Sequence, residues 1–381
     1  MLTSTASLAP AKALMRLVLE DGCEFAGRSA GADRAAAGEV VFNTAMAGYP
    51  QALTDPSYAG QILVQTYPLA GNYGVPEQSR VAGESDSFQS ARIQVQGLIV
   101  QHVCDRYSHH LAAQSLPDWL RAQNVPMMSG VDTRRLTQRL REHGCMRGWM
   151  FPATMTLEEA QERATPVDMR SEVFTRVTPA EPIHYTGGDL QVLVIDIGVK
   201  TGIIDCLLDR GASVTRMPWH GDIEGLASRA DAILIGNGPG DPADLDALTA
   251  RIGALLSDPA KPIFGVCLGH QLLARAAGCS TYKLPYGHRG VNQPVQDVLT
   301  GRCHVTSQNH GYAVDVGRLP EGIVPWFVNL NDGTNEGLRW RDRPVCSIQF
   351  HPEARPGPSD TEFLFDEFLR SAGAARSTRS L

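Results

Sequence analysis

Pro262-Ile263-Phe264-Gly265-Val266-Cys267-Leu268-Gly269-His270-Gln271 decides how this chain is read. An apolar run leads into the cysteine, and the helical pattern Leu272-Leu273-Ala274-Arg275-Ala276-Ala277 follows it. That is strand, sharp turn, helix, with a cysteine at the apex and glycine two residues to each side. A nucleophile on such a turn needs small neighbours, because its backbone is strained and the chain before and after passes close by. The positive end of the helix dipole there favours thiolate over thiol. A lone cysteine at the end of a core strand is most often packing; Gly-x-Cys-x-Gly at a strand-to-helix junction points to a nucleophile.

The partners stand near the other end. Ser347-Ile348-Gln349-Phe350-His351-Pro352-Glu353-Ala354 reads as a strand running into a loop. His351 is the candidate base that takes the thiol proton. Glu353, two residues on, is the candidate group that orients the imidazole and stabilises its charged form.

From Gln191 onward the pattern is βαβα. Val192 to Ile195 is a near-continuous apolar run, as in a strand buried on both faces. Thr201 to Arg210 reads as helix, Ala212 to Met217 and Asp231 to Ile235 as strands, and Leu245 to Leu256 as helix. Parallel strands linked by helices make a doubly wound sheet, whose ligands bind at the carboxyl ends of the strands. Hairpin-like runs follow at Val305 to Gln308, Tyr312 to Val316, Val324 to Asn329 and Val345 to Phe350. A helix over Asp360 to Ala372 and a loose tail from Ala374 to Leu381 complete the reading.

The N-terminal half is different. Short β-like runs at Arg16 to Leu19, Glu39 to Phe42, Gln61 to Thr66 and Gln94 to Val103 alternate with Gly/Asn/Asp turns. Helices are expected at Leu116 to Gln123 and at Thr133 to His143, the second with Asp132 as N-cap and Gly144 beyond its end. The expected organisation is therefore a disordered extension over residues 1–14, a mixed α and β domain over 15–151, a polar connector over 152–190 with one short helix at Thr156 to Arg163, and an α/β domain over 191–381.

Gly236-Asn237-Gly238-Pro239-Gly240-Asp241-Pro242 follows a strand, where a glycine-rich loop can cradle phosphate. It has neither the Gly-x-x-x-x-Gly-Lys-Ser/Thr nor the Gly-x-Gly-x-x-Gly spacing. It is either a turn that needs positive φ or a set of amides aimed at an oxyanion. None of the four lysines (Lys12, Lys200, Lys261, Lys283) lies in a phosphate loop. An ATP-driven step linked to this chain belongs to another polypeptide.

Composition narrows the rest. A length of 381 residues suits two domains, and 43% hydrophobic with 20% charged residues is that of a globular protein. The net charge of −7 with scattered arginines argues against nucleic-acid binding. The eight cysteines form no C-x-x-C pair, so zinc-ribbon and thioredoxin readings lack support, and no metal site is expected. No segment has the length of a membrane span, and no secretory leader is seen. The cytoplasm is the expected compartment, where a catalytic thiol stays reduced.

The cysteine elbow, the His-Pro-Glu and the Asn-Gly-Pro-Gly loop together resemble a class I (triad) glutamine amidotransferase domain. Phe42-Asn43-Thr44-Ala45-Met46-Ala47-Gly48-Tyr49, Leu53-Thr54-Asp55-Pro56-Ser57-Tyr58 and Gln65-Thr66-Tyr67-Pro68 resemble, more narrowly, the small (glutaminase) subunit of carbamoyl phosphate synthetase. So do Gly130-Val131-Asp132-Thr133-Arg134, Gly287-His288-Arg289-Gly290-Val291-Asn292 and Ser307-Gln308-Asn309-His310-Gly311-Tyr312. The resemblance runs from about Leu17 to Leu369.

It implies hydrolysis of the side-chain amide of L-glutamine through a thioester on Cys267, with His351 and Glu353 completing the triad. It implies amides near Gly238 to Gly240 and at Leu268 as oxyanion donors, and glutamine contacts at Ser57, Gln271, Asn309, Gly311 and Tyr312. It also implies a large synthetase subunit as partner, ammonia passed to it in a tunnel, ATP and a metal ion on that partner, and no cofactor in this chain. Arginine, pyrimidine or a specialised product stays open downstream. The alternatives are an amidotransferase subunit with another acceptor, a non-catalytic regulatory subunit and a stand-alone cysteine hydrolase. The sequence departs from the family pattern at Ile197, where an aromatic is usual, at Gly202 (usually Asn), at Asp205 (usually Arg) and at Phe350 (usually Gly or Tyr). These departures bear on partner fit, coupling or the pathway served.

Overall fold

Seven strands of the N-terminal half close on themselves in the computed structural model, which describes residues 13–77 and 87–379. They are β1 (Leu14–Leu19), β2 (Glu24–Ser29), β3 (Ala36–Asn43), β4 (Gln61–Gln65), β5 (Gly97–Ile99), β6 (Met127–Ser129) and β7 (Met146–Pro152). The barrel order is β1-β7-β3-β4-β5-β6-β2. Closure comes from β1, which pairs antiparallel with both β7 and β2. Residues two apart share a face of a strand. Met15, Leu17 and Leu19 therefore join Val40, Phe42, Ile62 and Val64 in one buried cluster. The opposite phase, with Val41, Leu63 and Leu98, packs against helices α1 (Tyr49–Thr54) and α2 (Leu116–Ala122).

Helix α3 (Thr133–His143) starts where its sequence signals place it: Asp132 Oδ1 accepts the Arg135 N–H at 2.9 Å, and Gly144 follows with φ +88°. Two expectations change here. The first twelve residues of the expected extension lie outside the described residues, and Leu14 already belongs to β1. The single strand expected over Gln94 to Val103 is only Gly97–Ile99 in the barrel, because His102–Val103 turns away to pair with Leu69–Ala70.

The stretch between the two halves is shared between them: its first helix packs on the barrel, where Ala160 and Ala164 meet Val18 and Phe151, and the rest packs on the second half. Helix α4 (Leu157–Arg163) opens with a reciprocal Thr156–Glu159 cap. Helix α5 (Glu172–Val177) buries Val173, Phe174 and Val177 against the second sheet, and β8 (Ile183–Tyr185) pairs with a strand of that sheet.

The second half is one ten-stranded sheet. After β8 come β9 (Leu190–Asp196), β10 (Ala212–Pro218), β11 (Ala232–Ile235), β12 (Ile263–Val266), β13 (Thr281–Asp297), β14 (Cys303–Val314), β15 (Ile323–Asn329), β16 (Asn335–Trp340) and β17 (Val345–Ile348), in the order β8-β10-β9-β11-β12-β17-β16-β15-β13-β14. The five strands from β10 to β17 are parallel. Helices α6 (Thr201–Leu208), α7 (Ile223–Ala227) and α8 (Asp246–Leu255) connect strands of this parallel part, and α9 (Leu268–Ala276) leads from β12 to β13. This is the doubly wound arrangement, with an antiparallel extension on one side.

Two further differences are physical. The runs expected at Val305 to Gln308 and Tyr312 to Val316 are one strand, β14, paired along a β13 whose Pro285, Gly287 and Pro294 disguise it. Register shifts between Lys283/His288 and Gly290/Gln293 absorb the irregularity. The expected loose tail is helical: α10 spans Phe363–Arg379. Leu364, Phe365, Phe368, Leu369 and Ala372 bury one face of it beside Phe264, and Arg376 reaches Asp231 at 3.7 Å.

Phe174 is 1% exposed, so Phe174→Ala removes a ring from a core that cannot fully close over the gap. A loss of about 3–5 kcal/mol is expected in urea unfolding. A loss under about 1 kcal/mol would show that α5 is a detachable strap.

Candidate active site

Cys267 adopts φ +56° and ψ −106°, a conformation that non-glycine residues rarely hold and that costs on the order of 1–3 kcal/mol. Two contacts explain how it is held. Its N–H donates to the Ile348 carbonyl at 2.8 Å, tying the elbow to β17. Helix α9 presses on the neighbouring strand so closely that a Cβ on Gly269 would lie 2.1 Å from the Ile235 oxygen. The glycine spacing read in the sequence is thus a backbone-contact requirement.

His351 lies just beyond β17, where its N–H donates to the Ser307 carbonyl at 2.9 Å. Its Nδ1 is 2.7 Å from Glu353 Oε1, and both side chains are buried. Lys200, which precedes α6, completes the set: Nζ is 2.8 Å from the same carboxylate oxygen and donates to the Ala354 carbonyl at 2.9 Å. Burial works against the charge on Glu353, but Lys200 and then His351 outweigh it and hold the carboxyl below its usual range. Burial likewise opposes a charged His351. Glu353 and the Cys267 thiol overcome both that and the Lys200 charge, raising the imidazole's proton affinity. His351 Nε2 has no hydrogen-bond partner of good geometry among the described residues, which leaves that edge of the ring for the sulfur.

The other candidate residues meet in one place. Ser57, Gly238, Gly240, Leu268, Gln271, Asn309, Gly311 and Tyr312 line a cavity of about 590 Å³ together with Cys267. His351 and Glu353 are outside its wall. Neither the Gly240 nor the Leu268 N–H has an internal acceptor among the described residues, and Pro239 between the loop glycines has no N–H at all. Both Gln271 amide hydrogens are committed, to the Tyr312 carbonyl at 2.9 Å and to Gln349 Oε1 at 3.0 Å.

Both domains build the wall. Asn237 Nδ2 donates to Ser57 Oγ at 3.0 Å, and Asn309 Nδ2 donates to Asp55 Oδ2 at 2.8 Å. Asp55 Oδ1 in turn accepts the Ser57 N–H at 2.9 Å. The Asn309 carbonyl oxygen is 3.7 Å from Cys267 Sγ. Cys145 shares the cavity wall, but burial pushes its thiol up to about 11, so it stays protonated near neutrality.

Sequence reasoning missed Lys200, Asp55 and Asn237. The available signal was weak: a lysine just after the first strand of the parallel sheet, in a chain with only four. The family departures are accommodated locally. Asp205 is buried and pairs with Arg355 at 2.6 Å. Gly202 sits where a Cβ would be 3.2 Å from Glu353 Cγ. Phe350 packs edge-on to Phe327, and Ile197 is buried in the core beneath the sheet. Elsewhere, His288, His310 and Glu336 bring three ligand-type atoms within 4.8 Å of one another. Internal bonds occupy them: His288 reaches Asp332 at 2.8 Å and Glu336 at 3.4 Å, and His310 reaches the Tyr312 carbonyl at 2.8 Å and Gln308 at 3.1 Å. Among the described residues no helix is long and apolar enough to cross a membrane.

Residues 17–150 match the family described as carbamoyl-phosphate synthase small chain, CPSase domain, and residues 193–371 match glutamine amidotransferase class-I. The chain is 44% identical to a carbamoyl phosphate synthase arginine-specific small chain of Yarrowia lipolytica, over 99% of this chain and 86% of that one. It belongs to the carbamoyl phosphate synthase small-chain family. A small chain of the same description from Emericella nidulans is 46% identical, over 93% of this chain and 78% of that one. Longer relatives carry the same stretch: the multifunctional proteins pyr-3 of Neurospora crassa and URA2 of Saccharomyces cerevisiae are each 44% identical, and the chain spans only 22% and 18% of their lengths. In small-chain terms, the barrel is the CPSase domain and the ten-stranded sheet carries the amidotransferase domain.

The buried charges give the small chain a pH signature. Glu353, with a lowered pKa, contributes fully above its ordinary 4.5 and loses that contribution as pH falls toward the lowered value. His351, with a raised pKa, contributes fully below 6.5 and loses that contribution as pH rises toward the raised value. The stability difference between the natural chain and Glu353→Gln should therefore be largest between 4.5 and 6.5 in urea melts. A difference that stays constant from acid to alkaline pH would contradict the ion-pair account.

Proposed function

We propose that this chain hydrolyses glutamine and delivers the ammonia to a large ATP-dependent chain that makes carbamoyl phosphate. The observation that carries the reading is the imidazole of His351, pinned through Nδ1 to a buried Glu353–Lys200 pair and free at Nε2 beside a strained cysteine in the wall of a two-domain cavity.

The steps follow from these positions. The sulfur of Cys267 attacks the side-chain carbonyl carbon of glutamine while its proton resides on His351. The oxygen gains the negative charge, and the amides of Gly240 and Leu268 are the donors available to it. The C–N bond breaks as the imidazolium gives its proton to nitrogen, releasing ammonia and leaving a γ-glutamyl thioester. Water then attacks, losing its proton to His351, and the sulfur departs as glutamate forms. Glu353 stays ionised throughout and keeps the ring in the tautomer each transfer needs. The class I amidotransferase domain does this without a cofactor, and ATP and metal ion act on the large chain.

Cys267→Ala in the two-chain complex should abolish glutamine-dependent synthesis and leave ammonia-dependent synthesis within about twofold; loss of both would contradict this division of labour. A glutamine-like electrophile should modify Cys267 in preference to Cys145 in the same cavity, as read by peptide mass mapping.

A further inference from the structure

We infer that Arg289 is the receptor for the α-carboxylate of the substrate glutamine. This rests on glutamine being the substrate. Arg289 lies on β13, lines the cavity, and is only 6% exposed. A guanidinium removed from water is costly unless an anion meets it. Yet among the described residues Arg289 has no ion pair. Its one hydrogen bond is from Nη1 to the Tyr286 carbonyl at 2.7 Å, and its Nε is buried without a partner. Acids in or beside the same wall are engaged elsewhere. Glu39 is held by Lys283 at 2.7 Å and Gln61 at 3.0 Å, and Asp55 by Asn309 and Ser57. Arg289 thus lines the cavity with Nη1 committed to the Tyr286 carbonyl and Nη2 without a bond among the described residues, a donor left to meet a carboxylate.

Its strand position brings it into the neighbourhood of the sulfur. Arg289 is directly opposite Asn309 in the β13–β14 ladder. Opposite residues point to the same face, and their Cα atoms lie roughly 4.5–5.5 Å apart. The Asn309 carbonyl is itself 3.7 Å from the attacking sulfur. The amide and carboxyl carbons of extended glutamine are roughly 5 Å apart at standard bond lengths. Gly311 keeps the approach open, since a Cβ there would lie 3.3 Å from Arg289 Nη2. The arginine's own carbonyl accepts the Thr44 N–H at 3.2 Å, which fixes its strand against the barrel.

The test compares glutamine with 4-aminobutanamide, which keeps the amide and the amine but has no carboxylate. In the full chain, Arg289→Met should lower kcat/KM for glutamine about 10- to 100-fold, mainly through KM. It should leave kcat/KM for 4-aminobutanamide within about threefold, and Arg289→Lys should fall between. Calorimetry on the Cys267→Ala protein should show glutamine binding weakened by the same factor when Arg289→Met is added. An equal loss for both compounds, or no loss for glutamine, overturns the assignment. Absence of glutamine turnover in the natural chain and of glutamine binding to Cys267→Ala with Arg289 intact would overturn the substrate reading itself, and this inference with it.

Discussion

One carboxylate oxygen, Glu353 Oε1, organises the buried charges beside the cysteine elbow. It receives His351 at 2.7 Å and Lys200 at 2.8 Å, all three side chains being cut off from water. Charges in such a place are tolerated only as a set, because removing one partner strands the other and typically costs about 3–5 kcal/mol. The arrangement therefore fixes more than a proton. Lys200 also holds the Ala354 carbonyl, and Arg355 is tied to Asp205 on α6. Ala354 and Arg355 both have positive φ, so the loop behind the histidine needs these anchors to keep its shape.

The elbow and the loop come from distant parts of the chain, and the parallel sheet brings them together. Strands β12 and β17 are neighbours, and the Cys267 N–H bonds to the carbonyl at the end of β17. Cys267 and His351 thus leave adjacent strands at the same end of the sheet. That is where doubly wound folds place their ligands. Part of the wall is then supplied by the N-terminal half, through Ser57, Gly60 and Gln61, while Asp55 and Thr44 bond to the wall residues Asn309 and Arg289 from behind.

Local signals in the sequence reached the elbow, the parallel strands and the capped α3, because each is set by contacts within a few residues or by an uninterrupted apolar run. The family likeness carried the pocket residues. What stayed hidden depends on pairing at a distance. Barrel closure requires β1 to find β7, and nothing in either strand names the other. The β13–β14 ladder is long, but its prolines and glycines read as punctuation until the register shifts are seen. Lys200 reads as an ordinary lysine until the loop that holds Glu353 folds over it. The tail after Ala374 looked loose because its polar residues are exposed and its helix continues from a turn anchored on Phe264, with Arg376 reaching Asp231, both far away in the chain.

The bond between Asp55 and Asn309 joins residues 254 positions apart, and the backbone carbonyl of Asn309 lies 3.7 Å from the Cys267 sulfur. The N-terminal half is consequently tied, through Asn309, to the immediate surroundings of Cys267. One hydrogen bond and one strand residue are all that separate that half from the thiol. The position of the backbone nearest the sulfur is therefore set in part by a carboxylate from the other half of the chain.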